Sequence, residues 1–330
     1  MLAVVNQRNA VINQRNIVPK SMYDTRKNPW DSLGSITFPG STKMRDALHI
    51  ADLDFTVSQA DQFCYIDGVQ VPTGAVANYR TDNGEILGTV GKKYRIVQNW
   101  EAFDFVDELL EHDIQLETAG HVKGSKVIWM LARTPDSMVL GDKFENYLLF
   151  ANSFDGTRAV SVCFTNIRVF CQNTMNLALK KAARKWSFAH KGDIASKVRE
   201  CQNILAMQTK YNKALNDTAE TLAHVKIGTE RGCQMISRLF PITDDMGEIA
   251  VNRAEENRMN FMRCLKAPDL ADHWNGNLVD GWGFISAASD FAYHTEPVRR
   301  TKSSAERPMV DALEGNKLLD TALKMLWEEM

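Results

Sequence analysis

The stretch Tyr147-Leu148-Leu149-Phe150-Ala151-Asn152-Ser153-Phe154-Asp155-Gly156-Thr157-Arg158-Ala159-Val160-Ser161-Val162-Cys163-Phe164-Thr165-Asn166-Ile167-Arg168-Val169 decides the fold class. Two runs rich in aromatic and β-branched residues flank Asp155-Gly156, a dipeptide that suits a tight reversal because both residues tolerate positive φ. The reading is an antiparallel hairpin, Tyr147 to Ser153 with Arg158 to Val169. Working outward, Lys123-Gly124 separates Ile114 to His121 from Lys126 to Ala132, and Asp82-Asn83-Gly84 separates Val76 to Thr81 from Glu85 to Val90. Three hairpins are expected. Between the first two, Asn99 can cap a helix from Trp100 to Glu111, whose residues Trp100, Phe103, Val106 and Leu110 follow helical spacing. The order of hairpin, helix, hairpin, hairpin and helix predicts an α+β fold of antiparallel β-hairpins with flanking helices.

The second half of the opening hairpin runs into a charge anomaly. From Gly156 to Gly192 the chain carries Arg158, Arg168, Lys180, Lys181, Arg184, Lys185 and Lys191 without an acidic residue, although its net charge is only -2. Met175, Ala178, Leu179, Ala182, Ala183 and Trp186 are spaced as the apolar side of a helix capped by Asn173 or Thr174. On that helix Lys180, Lys181, Arg184 and Lys185 share the opposite side as like charges at i,i+4. Such a face attracts an anion, and a polyanion best. A solvated basic face is the bland alternative.

With 330 residues, 44% of them apolar and 24% charged, the chain has the composition of a globular protein with a substantial core. No apolar run is long enough to cross a bilayer, and Asn6-Gln7-Arg8-Asn9 directly behind Met1 to Val5 lacks the apolar heart of a signal peptide. A cytoplasmic location without membrane association is expected. Cys64, Cys163, Cys171, Cys201, Cys233 and Cys264 are widely spaced and read as reduced thiols. Residues 1–40, with a short duplication of Asn-Gln-Arg-Asn and prolines at 19, 29 and 39, read as a flexible arm with the cations Arg8, Arg15, Lys20, Arg26 and Lys27. Residues 41–192 form the expected α+β core. Residues 193–330 read as a helical region: a long helix from Asp193 into Val225, interrupted on its apolar stripe by Gln208 and Asn212, then helices at Thr229 to Phe240, Ala250 to Lys266, Trp282 to Tyr293 and Met309 to Trp327.

The chain has no Walker loop, no dinucleotide-binding glycine pattern, no nucleophile elbow and no zinc-protease helix, so no cofactor is implied. Asp290, His294 and Glu296 offer a carboxylate and imidazole set, with two ligands on the helix too few for a metal site and a structural histidine as the competing reading. Basic and aromatic residues interleave instead. Lys92, Lys93, Tyr94 and Arg95 form one cluster, Lys123 and Lys126 flank the second turn, and Trp186, Phe188 and His190 follow the basic helix. Cations that track phosphates and rings that stack on bases are the two ingredients of single-strand nucleic-acid binding. Core packing competes for Trp186 and Tyr94. The acidic side of the Trp100 to Glu111 helix (Glu101, Asp104, Asp107, Glu108, Glu111) offers the same cations a protein partner, and a head-to-tail contact of that kind would give rings or filaments.

The segment Leu87-Gly88-Thr89-Val90-Gly91-Lys92-Lys93-Tyr94-Arg95-Ile96-Val97-Gln98-Asn99 with Glu101-Ala102-Phe103 resembles a phage/plasmid-like family catalogued as a domain of unknown function (number 932). Asn152-Ser153-Phe154-Asp155-Gly156, Val169-Phe170-Cys171-Gln172-Asn173-Thr174 and the Trp282 to His294 helix with Arg299-Arg300 agree with it, and Tyr293 departs from the acid that pattern has before the histidine. The resemblance implies a phage, prophage or plasmid setting in a bacterial host and no defined activity. By analogy of fold, the order of elements is similar to the phage single-strand annealing proteins, which bind single-stranded DNA without ATP and oligomerise. The expected function is ATP-independent single-stranded nucleic-acid binding and annealing in recombination or replication, by a protein that is not an enzyme. Two alternatives stand beside it: a protein-interaction module such as a host-defence antagonist or virion-associated protein, and a metal-dependent nuclease or hydrolase.

Overall fold

A computed structural model describes residues 36–37, 42–110, 112–168, 173–174, 185–187, 194–273, 277–295 and 302–330. The hairpin quoted above lies at the centre of the main sheet. Strand β1 is Ile36–Thr37, β5 Gln115–Val122, β6 Val127–Val139, β7 Asp142–Ser153, β8 Ser161–Arg168, β9 Asn173–Thr174 and β10 Lys185–Ser187. Their order is β1-β5-β6-β7-β8-β10, with β9 also on β8 and every described pairing antiparallel. In β6 the run from Val127 to Ala132 is buried without a break. Alternating side chains of one strand point to opposite faces, so a continuous buried run means that both faces are covered.

One face presents Ile128, Met130, Ala132, Leu148, Phe150, Val162 and Phe164 to a helical layer. That layer contains α1 (Met44–Ile50), α2 (Asn99–Ala102), α3 (Val106–Leu109) and the long helix α4 (Ile194–His224). The opposite face presents Trp129, Leu131, Tyr147, Leu149, Ala151 and Cys163 to Met309, Ala312 and Leu313 of α8 (Lys302–Glu314). A second sheet has the order β2 (Val57–Ile66), β3 (Val69–Arg80) and β4 (Ile86–Gly91). The remaining helices, α5 (Thr229–Leu239), α6 (Glu248–Leu265), α7 (Gly281–His294) and α9 (Lys317–Glu328), pack with the second half of α4 and with Val139 and Phe144 at the far ends of β6 and β7. A short ladder of β11 (Lys226–Gly228) and β12 (Leu278–Asp280) leads into α7, whose first residue pair is fixed by Asp280 accepting from the Gly283 N–H at 2.7 Å.

The α+β class, the three hairpins and the helical C-terminal region agree with the reading of the sequence. Several elements differ from it. The helix expected over Trp100 to Glu111 is two single turns, because Phe103 and Phe105 are both buried and a continuous helix would send them in nearly opposite directions. Its cap is Gln98, whose N–H donates to Glu101 at 2.8 Å in a capping box, while Asn99 is buried and donates to the Leu53 carbonyl at 2.8 Å. The helix expected from Met309 to Trp327 is broken at Gly315, which has a φ of 97°, and restarts behind Asn316, whose side chain accepts from the N–H groups of Leu318 and Leu319. The basic helix expected to run through Trp186 ends otherwise: Lys185, Trp186 and Ser187 are extended and pair with Cys163, Val162 and Ser161 of β8. Residues 175–184 of that helix lie outside the described residues.

Gln208 and Asn212, the two interruptions of the α4 stripe, turn out to be matched. Asn212 accepts from Asn166 of β8 at 3.2 Å, and Gln208 donates to the Thr134 hydroxyl of β6. Asn166 also donates to Asn146, whose own amide donates to the Pro135 carbonyl at 2.7 Å. A helix crossing a sheet over polar strand positions needs polar residues at the crossing, since an unpaired buried amide or hydroxyl costs about 1–3 kcal/mol.

Candidate nucleic-acid interface

One end of the main sheet collects Lys92, Lys93, Arg95, Lys123, Lys126 and Arg158 of the predicted cations. The β5–β6 turn is formed by Lys123, Gly124 and Ser125, all at positive φ (58°, 65° and 60°). The β7–β8 loop carries Asp155, Gly156, Thr157 and Arg158, and the chain leaving β4 carries Lys92, Lys93, Tyr94 and Arg95. These three segments are fastened to one another. The Phe154 N–H donates to the Lys126 carbonyl at 2.9 Å, and the Tyr94 hydroxyl donates to the Ser153 carbonyl at 2.9 Å. Burial, with the Asp155 charge adding to it, pushes the Tyr94 hydroxyl above its ordinary range, so it stays a donor.

Close approach of the second sheet locks the arrangement. A Cβ added to Gly88 of β4 would sit 2.5 Å from the Asp155 Cα, a contact that only glycine permits. Asn78 of β3 donates to the Phe154 carbonyl at 2.6 Å, and Asn152 of β7 donates to the Val97 carbonyl at 2.9 Å and to Asn99 at 3.1 Å. Gly88, Asn99, Asn152 and Asp155 belong to two of the sequence blocks that carried the family resemblance. Their shared role is to join the sheets. Burial alone would raise the Asp155 carboxyl, but hydrogen bonds from the Thr157 hydroxyl and N–H and from Ser153, with the Lys123 charge, hold it below the usual carboxylate range. On β3 the Arg80 guanidinium lies 3.9 Å over the Phe55 ring, grips Asp82 through two nitrogens and is held further in its charged form by that hydrogen bonding.

The charges at this end divide into two groups. Lys123 and Arg158 are already matched: both donate to the same Glu314 oxygen of α8, at 3.1 and 2.6 Å, and the Lys123 N–H donates to Glu306 at 2.9 Å. The Arg158 side chain is only 7% exposed. Lys92, Lys93 and Arg95 are exposed and Lys126 half-buried, and none of the four has an ion-pair partner among the described residues. Reading the sequence missed Glu306 and Glu314, because a carboxylate 156 to 191 residues away from its partners leaves no local signal.

The other predicted residues are less gathered. Arg168 is the last residue of β8, opposite Phe144 and Asn173, and Lys185 begins β10 opposite Cys163. Lys180, Lys181, Arg184 and Lys191 lie outside the described residues. Of the acidic helix, Asp107 accepts from the Met44 N–H at 2.8 Å and so serves the start of α1. Asp290 is buried within α7 at 5% exposure, while Glu296 and the ring of His294 fall outside the described side chains. Among the described residues no group of three or more His, Cys, Asp or Glu side chains is arranged to hold a metal ion. No helix among them is long and apolar enough to cross a membrane.

The chain belongs to the family described as Domain of unknown function (DUF932), whose model matches residues 86–313, more than half of the chain. No curated protein and no solved structure matches it.

Proposed function

We propose that the protein binds single-stranded nucleic acid at the cationic end of its main sheet, as a non-enzymatic accessory to phage or plasmid recombination or replication in the cytoplasm of a bacterial host. The observation that carries this reading is the row Lys92, Lys93 and Arg95, exposed and without an ion-pair partner among the described residues. That row is fixed by Tyr94 onto the loop where the acid-free stretch from Gly156 to Gly192 begins. Phosphates would neutralise the cations, and the strand would continue along the segment that carries Lys180, Lys181, Arg184, Lys185 and Lys191. Annealing of two strands needs charge neutralisation and accessible bases, with no general base and no cofactor.

Fluorescence anisotropy with labelled single-stranded oligonucleotides over a salt series tests this. Replacing Lys92, Lys93 and Arg95 by Ala should weaken binding and lower the slope of log affinity against log salt by roughly 2. Absence of salt-sensitive binding by the wild-type protein rejects the reading.

A second reading follows from Glu306 and Glu314. Their carboxylates already meet Lys123 and Arg158, as those of an acidic protein partner would, which favours a protein-interaction module. Isolation of a stable, nucleic-acid-free complex with a host protein, lost on the Lys92, Lys93 and Arg95 replacements, would select it.

A further inference from the structure

The second sheet has a part that nothing above employs. Beyond the pair Ala75 and Gly91, where β4 ends, β2 and β3 continue alone as a two-stranded ribbon to the turn at Asp67-Gly68, with Phe63, Cys64, Tyr65 and Ile66 opposite Pro72, Val71, Gln70 and Val69. Both faces of this ribbon are apolar and bare: Phe63 is 45%, Tyr65 73%, Ile66 57% and Val69 63% exposed. Among the described residues no third strand or layer covers it; a bare two-stranded ribbon is marginal in water, and exposed apolar side chains on one mark a contact surface.

We infer that this ribbon is a self-association arm, which pairs edge to edge with the same ribbon of a second copy of this chain. Three observations select that occupant. The first is the edge itself. β2 is an outer strand of its sheet among the described residues, and only its first residue is closed off: Gln98 accepts from the Val57 N–H at 3.0 Å and donates to the Val57 carbonyl at 2.8 Å. Every second residue farther along presents its N–H and C=O to that same open side. The strand carries no lysine or proline, and its irregularity and its one charge both lie at Asp61 to Phe63, so Phe63 to Ile66 toward the tip form an edge without those devices.

The second is charge. From Val57 to Tyr79 the ribbon carries Asp61 and Asp67 and no Lys or Arg, so it repels phosphates and suits a cationic protein surface. The third is geometry. A twofold axis near the middle of β2 pairs the two edges antiparallel, which brings the tip of one ribbon to the foot of the other. At that foot Gln59 reaches the Tyr94 carbonyl at 3.4 Å, and exposed Lys93 and Arg95 flank Tyr94. With the axis at Phe63, Asp67 of one copy falls beside Gln59 of its mate and so next to those cations, while the Phe63 rings of the two copies adjoin and Tyr65 flanks them. The two three-stranded sheets become one of six strands. The contact draws on Lys93 and Arg95, which the proposed nucleic-acid site also uses, so phosphates and the mate compete for them.

Sedimentation velocity on the full chain, from about 1 to 100 µM, together with oligonucleotide anisotropy, tests the inference. The wild-type protein should dimerise, and the double replacement Phe63→Lys with Tyr65→Lys should raise the dimer dissociation constant at least about tenfold. Ile249→Lys, at a position 80% exposed on α6, should leave it unchanged. Amide hydrogen exchange gives a second readout, since protection of residues 58–66 should rise with protein concentration only in chains that keep the apolar tip. A wild-type monomer throughout the range overturns the inference, as does a double variant that dimerises like the wild type. Loss of oligonucleotide binding without a change in oligomeric state also overturns it, in favour of a nucleic-acid wedge.

Discussion

Arg158 and Glu314 form an ion pair at 2.6 Å that joins the β7–β8 loop to the last residue of α8 across 156 positions of sequence. The arginine side chain is 7% exposed and the glutamate 47%, so the pair lies between the exposed limit, where ion pairs contribute little, and the buried one. Glu314→Gln should lower the unfolding free energy in urea by about 1–2 kcal/mol. On the nucleic-acid reading the same change frees Lys123 and Arg158 from their carboxylate, and oligonucleotide affinity at low salt should rise roughly threefold or more. An affinity that falls in step with stability would instead assign Glu314 a purely structural role.

Gly88→Ala tests the close approach of the two sheets. The added methyl would meet backbone at 2.5 Å, where no flexible side chain can give way. A loss of about 1–3 kcal/mol in unfolding free energy is expected. Ile86→Ala, two residues earlier at a position 57% exposed, should change stability by less than about 0.5 kcal/mol.

The polar crossing of α4 over the sheet predicts a non-additive pair. Gln208→Leu should cost about 1 kcal/mol, because the buried Thr134 hydroxyl loses its donor and keeps only its own bond to the Asn146 carbonyl at 3.2 Å. Adding Thr134→Val should restore part of that loss, since removing both polar partners is milder than stranding one. A double-mutant cycle from urea unfolding measures the coupling.

Acid stability should depend on Asp155. Its carboxyl titrates below the ordinary range in the folded protein, so its contribution is present above the unfolded-state value and disappears as pH falls through the folded one. Asp155→Asn should therefore narrow the stability gap to wild type as pH drops from about 4 toward 2, with the gap constant above about pH 5. A difference independent of pH would show that ionisation of this carboxyl adds nothing to stability.

Much of the fold is legible in the chain. The turn dipeptides Asp155-Gly156 and Lys123-Gly124 and the triplet Asp82-Asn83-Gly84 announce three hairpins, because tight reversals demand residues that tolerate unusual φ. Helical periodicity announces α4 to α7. The hairpin of β2 and β3 passed unnoticed although Asp67-Gly68 stands in its turn, since Asp61, Gln62 and Pro72 dilute the β pattern. The helix at Trp100 to Glu111 was overread because spacing alone cannot show that Phe103 and Phe105 both seek the core. The cation clusters were visible, and their partners were not.

By itself, then, the sequence determined what is local: turns, helical faces, the acid-free stretch and the family blocks, each encoded by neighbours within a few residues. Only the tertiary structure decided which anions meet which cations and which edges stay open. It gave Arg158 and Lys123 to Glu314, left Lys92, Lys93 and Arg95 exposed, and ended β4 at Gly91 so that, among the described residues, the tip of β2 and β3 has no third strand. Those outcomes depend on contacts between segments far apart in sequence, whose pairing is fixed by the packing of whole layers and not by any local pattern.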